Sequence, residues 1–400
     1  MKRKLLLSLL LALNVVLSGQ NQIRVMSYNL LNYPNNHDVN FKKIITQINP
    51  DALVVVEMIS QTGINEFLNH SLSVEYSAAA VNIQASDAYG NNGNDCGFYY
   101  KSNILTLIEY KAIPARTRVI SEFKLVHNIT KDTLIIFGVH LKAYPEPDNQ
   151  TKRLSTVNTL RTRTLQLKPT TNYIVAGDFN IFTSTEPAFL RLLDQSSPGY
   201  FYDPQNAVGD WTDNQSFAFT HTYSPSYLKS RLDMILVSKS LNEKGGADLV
   251  DYKIFGNDGN HFAKSITNGY NSWFSDISIG NALISASDHL PVYADFLFGV
   301  TTDVTAKNNN TITFELNQNY PNPFNPTTVI SYQLPVRRHV QIRVFDLLGR
   351  EVATLVNEEK EAGTHQSTFN TQHTSLSSGI YFYQLKAGAL VLTKKMVLLR

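Results

Sequence analysis

Six apolar runs in this 400-residue chain each carry, near one end, a side chain able to hold a metal ion or move a proton. MSYNLLNY presents Asn29, DALVVVEM presents Glu57, and IIFGVHLKA presents His140. IVAGDFN carries Asp178 and Asn180, SRLDMILVS carries Asp233, and ISASDHLPV carries Asp288 and His289. Each residue is ambiguous alone. Asn29 suits a turn, Glu57 a surface, and His140 a hydrogen-bonded core position. The Gly-Asp-Phe-Asn step at 177–180 also fits a turn, because Gly, Asp and Asn are turn formers. In a continuing strand, Asp178 and Asn180 would share one face and set a charged acceptor beside a carboxamide. Six such runs in order point to one collected site.

The elements that must position these residues are short β-rich runs alternating with helical patterns from Gln22 to Phe298. IRVMSYNL, DALVVVE, CGFYY, TLIIFGVHL, NYIVAGDF, RLDMILVS and LPVYADFLF read as strands, several apolar enough to be buried on both faces. VNFKKIITQI and KRLSTVNTLRTRTLQL space their apolar residues three and four apart and read as helices. Such alternation predicts a layered α/β domain. Residues 299–313 are Thr- and Asn-rich and read as a linker. Beyond them, many short strands with turn signals predict a small all-β sandwich over 314–400.

The chain opens MKRKLLLSLLLALNVVLSGQ, three cations followed by about a dozen apolar residues, too few to span a bilayer. Residues 1–20 therefore read as a signal peptide, and the mature chain is expected to carry no membrane span. The single cysteine, Cys96, reads as a small buried residue, so an exported chain is expected to rely on its cores rather than on disulfides. Net charge is +2, yet residues 21–300 hold 22 cations and 26 anions. That acidic middle disfavours a broad basic nucleic-acid surface and suits a site that collects carboxylates around a metal ion.

The ordered set YN, E, HL, GDFN, RLD and SDH-P resembles the metal-dependent endonuclease/exonuclease/phosphatase superfamily, which includes pancreatic-type deoxyribonucleases, abasic-site endonucleases and neutral sphingomyelinases. The resemblance covers roughly residues 22–298. It implies a four-layer α/β sandwich, two face-to-face sheets with helices outside, and cleavage of phosphoesters. Phosphodiesters resist hydroxide because both are anionic; a hard dication such as Mg²⁺ lifts that barrier and prefers oxygen ligands. By the resemblance, Glu57 is the main metal ligand, and Asn29 and Asp288 complete or support it. Asp178 orients or deprotonates the attacking water, and Asn180 binds the phosphate or that water. His289 contacts the phosphate or serves as an acid–base group, oriented by Asp233. His140 is the second family histidine, near the phosphate, with Asp95 a candidate partner. Mg²⁺ is the implied cofactor; Mn²⁺ and a structural Ca²⁺ are compatible with these ligand types. Two family positions differ: Val56 stands where Gln often precedes the Glu, and Leu31 where some members have an acid. The latter argues against a second metal there.

Other polar features admit two readings. Asn257, Asp258, Asn260 and His261 form either an exposed polar loop or a substrate-facing loop, with His261 a substrate contact, or a Ca²⁺ site. His221 either lines the cleft or sits at a strand edge. Lys152, Arg153, Arg161, Arg163 and Lys168 form either a solvated helix face or a contact to phosphate groups. NYPNPFNPTTVISYQLP, VFDLLGREVATLV and GIYFYQLKAG resemble the C-terminal sorting domain of type IX secretion substrates. That resemblance implies a route through the periplasm, engagement of the secretion machinery, and a released or surface-attached product. The expected protein is a secreted, monomeric nuclease acting on DNA or RNA. The alternatives are a sphingomyelinase-like or other lipid or small-molecule phosphodiesterase or phosphatase, for which YNSWFSDI around Trp273 offers an apolar hairpin, and a non-catalytic binding module.

Overall fold

The computed structural model describes residues 21–84, 93–243, 247–299, 315–334, 337–347, 349–372, 374, 376–387 and 390–399. The expected signal peptide, and the expected linker apart from Gly299, lie outside them. The chain divides into two compact units, residues 1–302 and 303–400.

The first unit holds two six-stranded sheets. One contains β1 (Gln22–Tyr33), β2 (Ala52–Met58), β3 (Tyr76–Ala78), β4 (Gly97–Lys101), β11 (Asp248–Ile254) and β12 (Val292–Leu297), in the order β11-β12-β1-β2-β4-β3. The other contains β5 (Leu105–Ile113), β6 (Ile120–His127), β7 (Thr133–His140), β8 (Tyr173–Asp178), β9 (Phe201–Tyr202) and β10 (Asp233–Ser238), in the order β5-β6-β7-β8-β10-β9. Neighbours are antiparallel except β1–β2 and β7–β8, the central parallel pairs. Helices α1 (Asp38–Ile48) and α3 (Pro147–Thr164) make the crossovers of those pairs.

The side-chain alternation of the second sheet shows the layering. Ile136, Ile174, Ala176, Ile235 and Val237 enter one core with the first sheet. Their neighbours Ile135, Phe137, Val139, Val175, Met234 and Leu236 enter another core, which also holds Val157 and Leu160 of α3 and Phe189 and Leu192 of α4 (Pro187–Leu193). Strands buried on both faces explain why these runs read as almost continuously apolar. Helix α1 buries Phe41, Ile44, Ile45 and Ile48, the spacing of one apolar stripe, and ends at Asn49, whose left-handed backbone (φ 51°) lets its N–H cap the Ile45 carbonyl. Helix α2 (Gln61–His70) starts at Ser60, whose side chain accepts from the Gly63 N–H. Together these elements form the expected four-layer sandwich.

Helix α3 departs from both sequence readings of its cations. Arg153 is fully buried and makes a bidentate pair with Glu186 at 2.6 and 2.9 Å. Arg161 is buried against the carbonyls of Leu192, Asp194, Ser197 and Pro198. Arg163 pairs with Glu122 of β6. Most of these charges knit the helix to its neighbours instead of facing solvent or a phosphate.

The second unit is all β. A three-stranded sheet of β13 (Glu315–Leu316), β14 (Thr327–Leu334) and β17 (Gly363–Asn370) shares one core with a four-stranded sheet. The latter orders β16 (Glu351–Lys360), β15 (Arg338–Phe345), β18 (Gly379–Ala387) and β19 (Leu390–Leu398). Strand β14 alternates buried and half-buried residues throughout, as a sheet with one core face requires. No described helix is long and apolar enough to cross a membrane.

Candidate active site

The two parallel strand pairs deliver their C-terminal ends to one place. Within the second sheet, Asp178 lies opposite His140 on one side and opposite Asp233 on the other. Register alone therefore lines up three of the expected residues. The first sheet supplies Asn29, whose amide donates to Glu57 at 3.0 Å and to Asp178 at 3.3 Å, joining the sheets. Glu57 has a left-handed backbone (φ 62°), and its second oxygen accepts the Asn32 N–H at 3.0 Å.

Two histidines flank Asp178, each backed by an aspartate. His140 Nδ1 donates to Asp95 at 2.6 Å, and its Nε2 lies 3.7 Å from Asp178. His289 Nδ1 donates to Asp233 at 2.7 Å, and its Nε2 lies 4.0 Å from Asp178 and 3.9 Å from Asp288. With Nδ1 held by a carboxylate, Nε2 of each ring is the nitrogen turned toward the cluster. Asp95 also pairs with Arg118 at 3.2 Å, and Arg118 reaches the carbonyls of His140 and Leu141. Ser287 ties the halves together: its hydroxyl donates to the Asn29 carbonyl and accepts the His289 N–H.

The electrostatics separate the members. Burial raises Asp178 to about 6, His289 and His140 oppose that shift, and Asp233 adds to it. Burial alone would lower His289, but Asp233, followed by Asp178 and Asp288, outweighs it and lifts the imidazole to about 10. Burial would raise Asp95, but His140 and Arg118 hold it below the usual carboxylate range. Asp288 is raised by burial and further by Glu57. Asp178 and Asp288, each raised in part by a neighbouring carboxylate, mark excess negative charge that a dication would neutralise. Glu57, His140 and Asp178 bring donor atoms within 4.8 Å of one another, as do Asp178, Asp233 and His289. The donor set fits a hard divalent cation: Glu57 would hold it, with Asp178 and His140 beside it. Asp288, expected as a ligand, lies in neither cluster.

Asn180 closes the Gly-Asp-Phe-Asn step differently from a continuing strand. Strand β8 stops at Asp178, and Asn180 has a left-handed backbone (φ 50°). Its N–H donates to Asp178 at 2.9 Å and its amide to the Leu141 carbonyl at 3.3 Å. The step is thus a turn and part of the site at once. The turn braces the Asp178 carboxylate.

Other expected residues stand apart from the cluster. His261 is buried and donates to Asp258, whose oxygens also accept the Asn260 and Ser272 N–H groups. No described hydrogen bond or ion pair links His261 to the cluster. The 256–262 loop packs inward, with Asn257 bonded to the Ala218 and His221 carbonyls, so the exposed-loop reading is corrected. His221 is fully buried, donates to the Trp211 carbonyl, and is lowered by burial; it is a core histidine. Trp273 packs on Phe255 and donates to the Asn257 carbonyl, so YNSWFSDI does not project as an apolar hairpin. Sequence reasoning overlooked Arg118, Ser287 and Tyr223. The Tyr223 ring stands 5.1 Å from that of His289. Burial, then Asp288, Asp178, Tyr144 and Glu57, raise its phenol.

The pattern of the Endonuclease/Exonuclease/phosphatase family matches residues 26–289, and that of the Secretion system C-terminal sorting domain matches residues 318–399. No curated protein matches the chain. Among solved structures, the human Nocturnin catalytic domain with bound sulfate anion is 18% identical, with 70% of this chain and 95% of that one covered and a TM-score of 0.49. Mannosyl-6-phosphatase Bt3783 of Bacteroides thetaiotaomicron is 14% identical, with 69% and 100% covered and a TM-score of 0.47. D. rerio TDP2 complexed with single strand DNA product is 12% identical, with 69% and 98% covered and a TM-score of 0.46. The chain belongs to the endonuclease/exonuclease/phosphatase family of phosphoester hydrolases and ends in a type IX secretion sorting domain that marks it for export.

Proposed function

We propose that the protein is a secreted, divalent-metal-dependent nuclease that hydrolyses phosphodiester bonds in DNA or RNA. One observation carries the reading: Asp178 is buried between two aspartate-backed histidines and faces Glu57 through Asn29. A divalent cation, when bound, supplies Lewis acidity and charge neutralisation at the phosphate. The chain's own groups divide the remaining work. His289 is charged at neutral pH, so its Nε2–H donates to a phosphate oxygen and cannot accept a proton. Asp178, raised to about 6, is ionised at neutral pH yet basic enough to take a proton from an attacking water. His140, fixed by Asp95, offers a second donor to the phosphate. Asn180 holds Asp178 in orientation. The expected route is signal-peptide-directed entry to the periplasm, followed by outer-membrane crossing through the type IX machinery.

Supercoiled plasmid incubated with the full-length protein in Mg²⁺ or EDTA tests this, beside Asp178→Asn. Nicking that requires metal and falls at least a hundredfold in the variant is the expected result, the scale of removing a positioned acid–base group. Absence of nicking by folded protein with Mg²⁺ or Mn²⁺ overturns the DNA reading and sends the same assay to RNA, phospholipid and phosphomonoesters.

A further inference from the structure

Beside the core histidine of FTHTYS stands Thr222, fully buried and bonded to the chain that enters β10. Its hydroxyl oxygen accepts two consecutive backbone N–H groups, those of Leu232 and Asp233, each at 3.0 Å. Buried N–H groups need partners, and on its outer side β10 has few to offer: β9 pairs with it only at Val237 and Ser238. On the inner side Asp233 lies opposite Asp178, and the Leu232 carbonyl accepts the Phe179 N–H at 2.8 Å. Thr222 thus supplies, from a side chain, the support that β9 does not extend far enough to give.

The main chain of the same segment holds the partner of Asp233. The Thr222 carbonyl accepts the Leu290 N–H at 2.6 Å, Tyr223 bridges His289 in antiparallel fashion, and the Ser224 N–H donates to the Asp288 carbonyl at 2.7 Å. Asp233 belongs to the second sheet, whereas residues 288–290 lead into β12 of the first. Thr222 therefore joins the two sheets where Asp233 meets His289. Little else aims the Asp233 carboxylate. Its Oδ2 takes the His289 Nδ1–H at 2.7 Å, and its buried Oδ1 has no hydrogen-bond partner among the described residues. Without a second anchor on the side chain, the direction of the carboxylate follows from the backbone that carries it.

We propose that Thr222 is a positioning residue for phosphoester hydrolysis: its hydroxyl fixes the backbone at Asp233, so that the carboxylate meets His289 Nδ1 and the ring turns Nε2 to the cluster. This rests on the reading above that gives His289 the phosphate, and it holds whether that phosphate belongs to DNA, RNA or a smaller ester. The residue type suits the task, because a hydroxyl offers one oxygen with two lone pairs to two donors. Valine has nearly the same shape without the acceptor and would strand both buried N–H groups. A displacement of about 1 Å at a catalytic group is enough to slow a reaction about a hundredfold.

The test compares the full-length wild-type protein with Thr222→Val, Thr222→Ser, Asp233→Asn and the double variant Thr222→Val/Asp233→Asn, each corrected for its folded fraction by urea unfolding. The first readout is hydrolysis of bis(p-nitrophenyl) phosphate with saturating Mn²⁺. Thr222→Val is expected to lose about a hundredfold in kcat/KM, mainly through kcat, and Thr222→Ser to recover most of it. Because Thr222 acts through Asp233, adding Thr222→Val to Asp233→Asn should cost no more than about twofold further. A purely structural loss would repeat the full factor in that background. The second readout needs no turnover: the far-downfield proton signal of His289 Nδ1–H, assigned by its absence in His289→Gln. It should be present in wild type and Thr222→Ser and displaced or lost in Thr222→Val. Thr222→Ala replaces Thr222→Val if the latter does not fold. An unchanged rate or signal in the acceptor-free variant, or losses that multiply in the double variant, overturns the positioning role and leaves the reading of His289 standing. Absence of turnover of this ester and of plasmid by folded, Mn²⁺-loaded wild type overturns the reading of His289 instead, and the imidazole signal alone then decides whether Thr222 sets the pair.

Discussion

The division of labour between His289 and Asp178 predicts a measurable response to Asp233→Asn. His289 is 4% exposed and Asp233 1% exposed, and their 2.7 Å contact is the main reason the imidazole holds its proton to about 10. Moving a histidine from about 6.5 to about 10 corresponds to about 5 kcal/mol at ~1.36 kcal/mol per tenfold change. Because the folded pKa lies above the unfolded one, that stabilisation is complete below about pH 6.5 and is lost as pH rises through about 10. Between pH 7 and 9.5 the loss from this group is about 3 kcal/mol. Both tryptophans, Trp211 and Trp273, lie in the catalytic unit, so urea unfolding followed by their fluorescence reports that unit alone. In metal-free wild-type protein the midpoint should fall from pH 7 to 9.5; in Asp233→Asn most of that fall should vanish. The His289 ring signal, assigned by its absence in His289→Gln, should titrate well above pH 8 in wild type. It should drop markedly in the variant, where the Asp233 charge and hydrogen bond that oppose burial are gone. Phosphodiester hydrolysis at neutral pH should fall about 10³- to 10⁴-fold, as for other aspartate-backed histidines. A wild-type ring that titrates near 6.5, or unfolding curves with the same pH dependence in both proteins, would refute the assignment of His289 as the charged phosphate donor.

Two further outcomes follow from the same geometry. Glu57→Gln should weaken Mn²⁺ binding, measured by calorimetry, by at least about tenfold, since even outer partners of metal ligands are worth that much; unchanged affinity would move the cation away from Glu57. Glu186→Gln strands the buried Arg153 charge, which should cost about 3–5 kcal/mol and lower the melting temperature by roughly 6–20 °C. A shift below about 2 °C would mean that water or the Lys142 and Tyr144 carbonyls satisfy Arg153 without its partner.

The strand ends were legible because each is an apolar run broken by one polar residue, and a strand buried on both faces leaves no other reason for that residue. Asn29, Glu57, His140, Asp178, Asp233 and His289 all converge for this reason. The residues that orient them were harder to find. Asp95 precedes a strand without being part of a periodic pattern, and Arg118 reaches Asp95 and the His140 carbonyl from a loop 22 residues earlier in the chain. The α3 cations misled because amphipathic spacing assigns charges to solvent. Here the helix packs beside α4 and β6, whose carbonyls and carboxylates accept Arg153, Arg161 and Arg163. His221 and His261 read as site candidates by type alone, and only burial and partners tell them apart from His140.

Backbone conformation explains what residue type left open. Gly177 has φ 148°, and a Cβ there would lie 1.8 Å from the Val139 carbonyl oxygen. Only glycine lets β8 approach β7 closely enough for Asp178 to stand opposite His140, so the first residue of Gly-Asp-Phe-Asn sets the contact that the second one uses. Asn32 near the end of β1, Glu57 near the end of β2 and Asn180 just past β8 have left-handed backbones. Asn32 and Asn180 each turn a backbone N–H onto a carboxylate of the site, Glu57 and Asp178 respectively. Each such turn ends an apolar strand abruptly and spends local strain to aim one polar group, at a place where the packed cores on either side hold the strand still. The Glu57 and Asp178 carboxylates are therefore held by backbone donors in the structure itself, the preorganisation that the proposed phosphoester hydrolysis needs.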